Sequence, residues 1–240
     1  MAHRLLRRPA ARLVAGAAAA ALSAGCALQV PAPSPPAPPP AAEPAAAPTE
    51  PPLRWRDSRA VGRPWAGRLV RGVRLPAEGE HVVTWDPVRR ASPNRPWRRW
   101  GTDETVRRVL AVARSHRRAH PLAPRIAVGD LSRPHGGPFG KRFGGLGHLS
   151  HQNGLDVDVY YPRLDRLELA PRRASQVDRL LAQDLVNRFL AIGAEKIFVG
   201  PGTGLAGPRR RVRPLIHHHD HMHVRFPRER DRVGRGATDS

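Results

Sequence analysis

Cysteine occurs once in the 240 residues, at Cys26. No disulfide can form within the chain, and no multi-cysteine zinc or iron–sulfur site is available. Any metal must therefore be held by histidines and carboxylates. Aromatic residues make up only 5 %, so the core rests mainly on Val, Leu, Ala and Ile. Lysine is confined to Lys141 and Lys196, and acids are few: 20 Asp+Glu against 41 Lys+Arg. The apolar stretch from Leu13 to Leu22 is too short to span a bilayer stably. With 25 % charged residues, a polytopic membrane protein is excluded.

What remains is a strongly cationic chain, with a formal net charge of +21 and an isoelectric point near 11.8. High Ala, Pro, Arg and Gly with little Lys matches the codon bias of a GC-rich genome. That bias explains Arg in place of Lys, but not the excess of cations over acids. An acidic polymer fits as partner: nucleic acid, anionic cell wall or a lipid surface.

Three regions are distinct in composition. Residues 1–26 read as an export signal, with Arg4, Arg7, Arg8 and Arg12 before the short apolar stretch. Leu22-Ser23-Ala24-Gly25-Cys26 resembles a bacterial lipobox, in which the cysteine becomes lipidated after cleavage, although the large aliphatic residue stands one position early. Cleavage there removes four Arg and no acid, leaving +17. Residues 27–53 form a Pro/Ala-rich linker with 11 Pro between Pro31 and Pro52. It cannot build a core; as polyproline II it reaches roughly 70 Å at about 3.1 Å per residue. Residues 54–227 form one folded domain, and 228–240 a polar tail.

Within the domain, Arg68 to Val73 reads as a strand. Val106, Val109, Leu110 and Ala113 mark an amphipathic helix begun near Thr102 or Asp103. Ile126–Val128 is a short strand, followed by a glycine-rich loop, Gly136 to Gly147. Leu155 to Tyr160 alternates as a strand should. Val177, Leu180, Leu181, Leu185 and Phe189 mark a second helix ended by Gly193, and residues 197–199 and 223–226 read as strands. Without a regular βαβ repeat, the expected fold is α+β: one domain with a central antiparallel sheet flanked by helices.

Seven of the 12 histidines fall in two short windows: His148 and His151, then His217, His218, His219, His221 and His223. Period-2 alternation puts Asp156 and Asp158 on one strand face, and His221 with His223 on one face of another. Two carboxylates sharing a face repel unless a cation or donors stand between them. A lone HxH pair is weak evidence, and a DxD pair often meets arginines. The combination of HxxHxxGxDxD, a glycine-rich approach and a later HxH is far more specific. It points to a metal site on the sheet face, with an open position for water.

Those residues resemble the penicillin-insensitive murein endopeptidase family, within the wider group of lysostaphin-like and D-alanyl-D-alanine metallopeptidases and hedgehog domains. The similarity is collinear. It runs through GRLVRGVRLP at 67–76, Val128-Gly129-Asp130, HLSHQNGLDVDV at 148–159, IFVGP at 197–201, Val212-Arg213-Pro214 and HMHVRF at 221–226. The resemblance implies one Zn2+ held by His151, Asp158 and His223. It implies His221 as the catalytic imidazole and His218 as a further active-site histidine. His148 matches a histidine that helps hold a second ion in some relatives. A second ion is not expected here, because no further ligand set follows Tyr160. Asp156 is expected outside the ligand set, orienting His151 or a loop amide.

The implied activity is hydrolysis of peptidoglycan cross-links between D-alanine and a diamino acid, in the periplasm or cell envelope. Membrane contact would come only through Cys26. A D,D-carboxypeptidase and a non-catalytic wall-binding module stay open as alternatives. Nucleic acid is not expected, since neither a readout helix nor stacking aromatics are present. The sequence identifies no regulator.

Overall fold

Both helices form where the apolar spacing asks for them. Helix α1 spans Asp103–Ala119 and begins at Thr102, whose side chain accepts the Thr105 N–H at 3.1 Å. Asp103 and Glu104 lie at its positive end, and Arg117 and Arg118 in its last turn. Helix α2 spans Arg179–Ala191, capped by Asp178, which accepts the Leu181 N–H at 3.1 Å. Gly193 closes it at φ 87°, a conformation that favours glycine. Of its expected stripe, one residue lies outside the helix and one on its solvent face. Val177 precedes the cap, and Leu180 is 85 % exposed.

The structure is a computed structural model that describes residues 52–140 and 148–228, all within one compact unit, Ala47–Ser240. The export signal, Cys26, most of the linker, residues 141–147 of the glycine-rich loop and nearly all of the polar tail lie outside the described residues. No described helix is long and apolar enough to cross a membrane.

The strands are β1 (Arg59–Arg63), β2 (Ala66–Val70), β3 (Val73–Arg74), β4 (Val82–Thr84), β5 (Trp100–Gly101), β6 (Ile126–Val128), β7 (Asp156–Tyr160), β8 (Lys196–Val199), β9 (Val212–Pro214) and β10 (His221–Arg225). The single strand expected over residues 68–73 is two, because Arg71 turns the chain at φ 51°. Six strands make the main sheet, in the order β4-β6-β7-β10-β8-β9.

The expected antiparallel sheet is corrected to a mixed one. Its middle is antiparallel, from β6 through β7 and β10 to β8. The outer pairs β4/β6 and β8/β9 are parallel. Helix α1 lies in the crossover from β4 to β6, and a crossover of that length permits parallel neighbours. The helices flank the sheet on one face. Val106, Val109, Ala182, Leu185 and Phe189 join Val157, Val159, Met222 and Val224 in one core, so α1 and α2 cover the same face. The other face carries Asp156, Asp158 and Tyr160 of β7 and His221, His223 and Arg225 of β10, by alternation.

Phe189 is wholly buried in the core under the site, its ring 6.2 Å from that of Phe226. Phe189→Ala should cost about 3–5 kcal/mol of unfolding free energy. A urea titration of the full chain reads this directly; a loss under about 1 kcal/mol would contradict the packing described.

Candidate metal centre

The register of β7 and β10 builds the centre. His223 stands opposite Asp158, and Arg225 opposite Asp156. Directly opposed residues share a face with adjacent side chains. His151 arrives from the turn before β7. Its backbone takes φ 66°, unusual for a residue with a side chain, and is held there by its N–H, which donates to Asp156 Oδ2 at 2.9 Å. A neighbouring crossing fixes the same turn: Gly137 N–H donates to the Gln152 carbonyl at 2.9 Å, beside Gly136 at φ 73°. A Cβ on Gly136 would collide with that carbonyl, so the crossing requires glycine.

Three donor atoms converge. His151 Nε2 lies 3.1 Å from His223 Nδ1 and 3.3 Å from Asp158 Oδ1, and His223 Nδ1 lies 3.2 Å from Asp158 Oδ1. Ligands about 2.0–2.1 Å from a tetrahedral ion stand about 3.3 Å apart, so the triangle has the size such an ion requires. Asp158 Oδ1 is buried and makes no well-formed hydrogen bond. The far nitrogens fix which atoms face inward. His151 Nδ1 donates to the Leu131 carbonyl at 2.6 Å, and His223 Nε2 donates to Asp156 Oδ1 at 3.1 Å. His151 Nε2 and His223 Nδ1 are thereby left to coordinate. The residues fit a divalent cation with a position open for water or substrate.

Electrostatics agree with that fit. Burial holds His151 neutral, outweighing the pull of Asp158. Burial also opposes ionisation of Asp158, but the surrounding imidazoles keep it well below the usual carboxylate range. His223 is also desolvated, yet Asp156 and Asp158 raise its pKa to about 9. Without a cation, a proton on His223 Nδ1 thus occupies the middle of the triangle.

The remaining predicted residues surround these three. His221 Nδ1 donates to Asp220 Oδ1 at 2.7 Å, and its Nε2 faces Asp158 Oδ1 at 3.8 Å, beyond hydrogen-bond reach. Burial lowers its proton affinity, while Asp158 and Asp220 more than restore it. Of the triplet 217–219, it is His218 whose ring stands 4.8 Å from that of His221 and 6.2 Å from that of His223. Its Nδ1 donates to the Ile216 carbonyl at 2.8 Å, and burial keeps it neutral. His148 Nε2 donates to Asp130 Oδ2 at 2.7 Å, and its ring lies 4.2 Å from that of His151, tilted by 44°. His148, His151 and Asp158 also offer donor atoms within 4.8 Å of one another. Asp156 orients the His223 ring and the His151 amide, not the His151 ring, and Arg225 braces it at 2.7 Å.

Two supports had no assigned role in the sequence reading. Asp220 precedes His221 directly, and an acid next to a site histidine was the available signal. Arg98 and Asp130 form a fully buried ion pair, Nε to Oδ1 at 2.6 Å, that anchors His148. A separate group joins the helices: Asp184 Oδ2 lies 2.7 Å from His116 Nδ1 and 3.3 Å from His120 Nε2. Arg188 already engages the same oxygen at 2.6 Å, so its charge is answered by a guanidinium.

An α+β domain with two imidazoles and a carboxylate around one point, and a carboxylate-paired histidine beside them, belongs to the class of folds able to hold a metal ion. The family model for penicillin-insensitive murein endopeptidase matches residues 60–195, and the chain belongs to that family. The match contains His151 and Asp158 and ends before β8. The penicillin-insensitive murein endopeptidase of Salmonella arizonae is 34 % identical over 151 residues, 49 % of this chain and 51 % of that protein. That of Citrobacter koseri is 32 % identical over 127 residues, 42 % and 44 %. That of Escherichia coli O1:K1 / APEC is 28 % identical over 196 residues, 70 % and 66 %. The chain spans about half the length of the first of these relatives.

Two results follow from the geometry. An incoming divalent cation must displace one proton from His223, whose pKa of about 9 leaves it protonated at neutral pH. The apparent affinity of metal-free protein should rise about tenfold per pH unit from about pH 6 to 8 and flatten near pH 9, as read by titration against a chromogenic chelator. A pH-independent affinity would contradict it. In the same assay Asp156→Asn, which weakens the grip on His223 Nε2, should lower affinity about 10–100-fold.

Proposed function

We propose that the chain is a zinc-dependent peptidoglycan hydrolase, a D,D-endopeptidase that cuts the cross-link between D-alanine and a diamino acid. One observation carries the reading: the mutual 3.1–3.3 Å convergence of His151 Nε2, Asp158 Oδ1 and His223 Nδ1. Two imidazoles and one carboxylate suit zinc better than the hard, oxygen-seeking cations. The names of the relatives, penicillin-insensitive murein endopeptidases, support peptidoglycan as the substrate.

His151, Asp158 and His223 would hold the zinc ion, which would supply Lewis acidity toward the scissile carbonyl and the attacking water. His221 works on protons. Its Nδ1–H is fixed on Asp220, so Nε2 points into the site as an acceptor, and the carboxylate stabilises the imidazolium formed when a proton arrives. The same Nε2 then returns the proton to the leaving amine. His218, with Nδ1–H on the Ile216 carbonyl, presents an unprotonated Nε2. It serves better as a proton relay beside His221 than as a donor to an oxyanion.

Export fits this work. Residues 1–26 are proposed as the signal, Cys26 as a lipid anchor, and 27–53 as a stalk from membrane to wall. The charge of +17 left after cleavage at Cys26 suits an anionic polymer.

Incubating the full chain with sacculi tests the proposal. Fresh peptide amines should appear, vanish with a chelator and return with zinc. Release of terminal D-alanine alone, from uncross-linked peptides, would make the protein a carboxypeptidase instead. His151→Ala should lose zinc and cleavage together. His221→Ala should keep zinc and lose about 10²–10⁴-fold in rate; near-normal hydrolysis by either variant sinks the assignment.

A further inference from the structure

Next to the metal centre lies an open cleft of about 370 Å³, lined by Arg90, Pro171, Arg172, His219 and Asp220. Its two guanidinium groups differ from those that the fold holds in ion pairs. Arg95, Arg98, Arg125, Arg163, Arg188 and Arg225 are engaged by carboxylates. Among the described residues, no carboxylate or carbonyl engages the side chains of Arg90 and Arg172.

Both are nevertheless carried on braced backbone. Arg90 sits at φ 53° in a turn whose N–H groups converge on Asp86: Arg90 N–H donates to the Asp86 carbonyl at 2.8 Å, and Val88 and Arg89 donate to Asp86 Oδ1 at 2.9 and 3.0 Å. Arg172 follows the buried Pro171, and its N–H donates to Gln176 Oε1 at 2.7 Å. The one acid of the cleft, Asp220, is tied to His221 Nδ1. That leaves the cleft cationic and places its wall one hydrogen bond from the imidazole at the centre.

Guanidinium forks recognise planar carboxylates in a bidentate manner. We propose that this cleft is a carboxylate subsite, in which Arg90 and Arg172 hold a free carboxylate of the peptide substrate and so set its register over the metal centre. The proposal rests on the peptidase reading for its substrate. The carboxylate can come from two sources, the free carboxyl of the diamino acid or that of a terminal D-alanine.

Binding separates the sources without relying on catalysis. Three soluble peptides ending in the diamino acid and D-alanine are titrated calorimetrically into the full chain: one with both carboxylates free, one amidated at the diamino acid, one amidated at the terminus. Losing a charge-assisted contact should weaken binding about ten- to a hundredfold for one of the amidated peptides, which names the source. The double variant Arg90→Gln/Arg172→Gln should bind all three alike, at the affinity of the weakened peptide. Both side chains are exposed, so the variant should retain the wild-type thermal unfolding midpoint. Equal wild-type affinities, no measurable binding of the free peptide, or a preference that survives in the double variant overturns the subsite. If the sacculus assay fails while the preference and its loss are seen, the peptidase reading falls and the subsite stands; the reverse pattern keeps the peptidase and removes the subsite.

Discussion

Asp156 is a fully buried carboxylate that accepts the His151 amide on one oxygen, and His223 Nε2 and Arg225 Nε on the other. Burying a carboxylate is costly unless charge and hydrogen bonds compensate it. Here burial opposes ionisation, and His223 with the neighbouring cations overcomes it, holding the group far below its ordinary pKa. The compensating contacts set most of the centre's geometry. One keeps the His151 backbone in its left-handed turn, and another fixes which His223 nitrogen faces the triangle. Remove Asp156 and His223 loses the contact that aims its ring, while His151 loses the one that holds its backbone.

That restraint works because the sheet supplies the register. Antiparallel pairing of β7 with β10 aligns Asp156 with Arg225 and Asp158 with His223. A slip of one residue would turn every one of these side chains toward the helices and send Val157, Val159, Met222 and Val224 into the site. The apolar set is buried beneath α1 and α2, so core packing and site geometry enforce the same register. Stability and chemistry are therefore not separate demands on these two strands.

This explains what was legible in the sequence. Period-2 alternation reveals faces, so the sharing of a face by Asp156 with Asp158, and by His221 with His223, could be read directly. Helix α1 was legible from its apolar spacing and Thr102. The parallel edges of the sheet were not, because strand order depends on crossovers that leave no local signature in stretches as short as Val82–Thr84 or Val212–Pro214. Nor was the grouping of both helices on one face. Side-chain partners that are distant in sequence, such as Arg98 with Asp130, were equally hidden: many arginines compete for each acid, and composition does not say which one is buried. The expectation for Asp156 named a loop amide or His151. The amide is there, but the ring it orients is His223, since pairing across the strands brings that imidazole closer than the one five residues away.

The surplus of arginine then divides by environment. Arg98 is fully buried, with its guanidinium carbon 4.9 Å from the centre of Trp97 and 5.3 Å from that of Phe139, and bonded to Asp130, whose pKa is held near 2 against the cost of burial. That arginine is architecture: it fixes Asp130, and Asp130 fixes His148 against the ring of His151. Arg225 is architecture too, as the brace of Asp156. Arginine is spread throughout the domain, and a chain of net charge +21 cannot pair every one with an acid. What distinguishes a cation available for binding is therefore not its charge but an unanswered guanidinium on a fixed backbone beside a reactive centre. Arg90 and Arg172 meet that condition, whereas Arg98 and Arg225, though nearer the sheet, have committed their hydrogen-bonding capacity inside the fold.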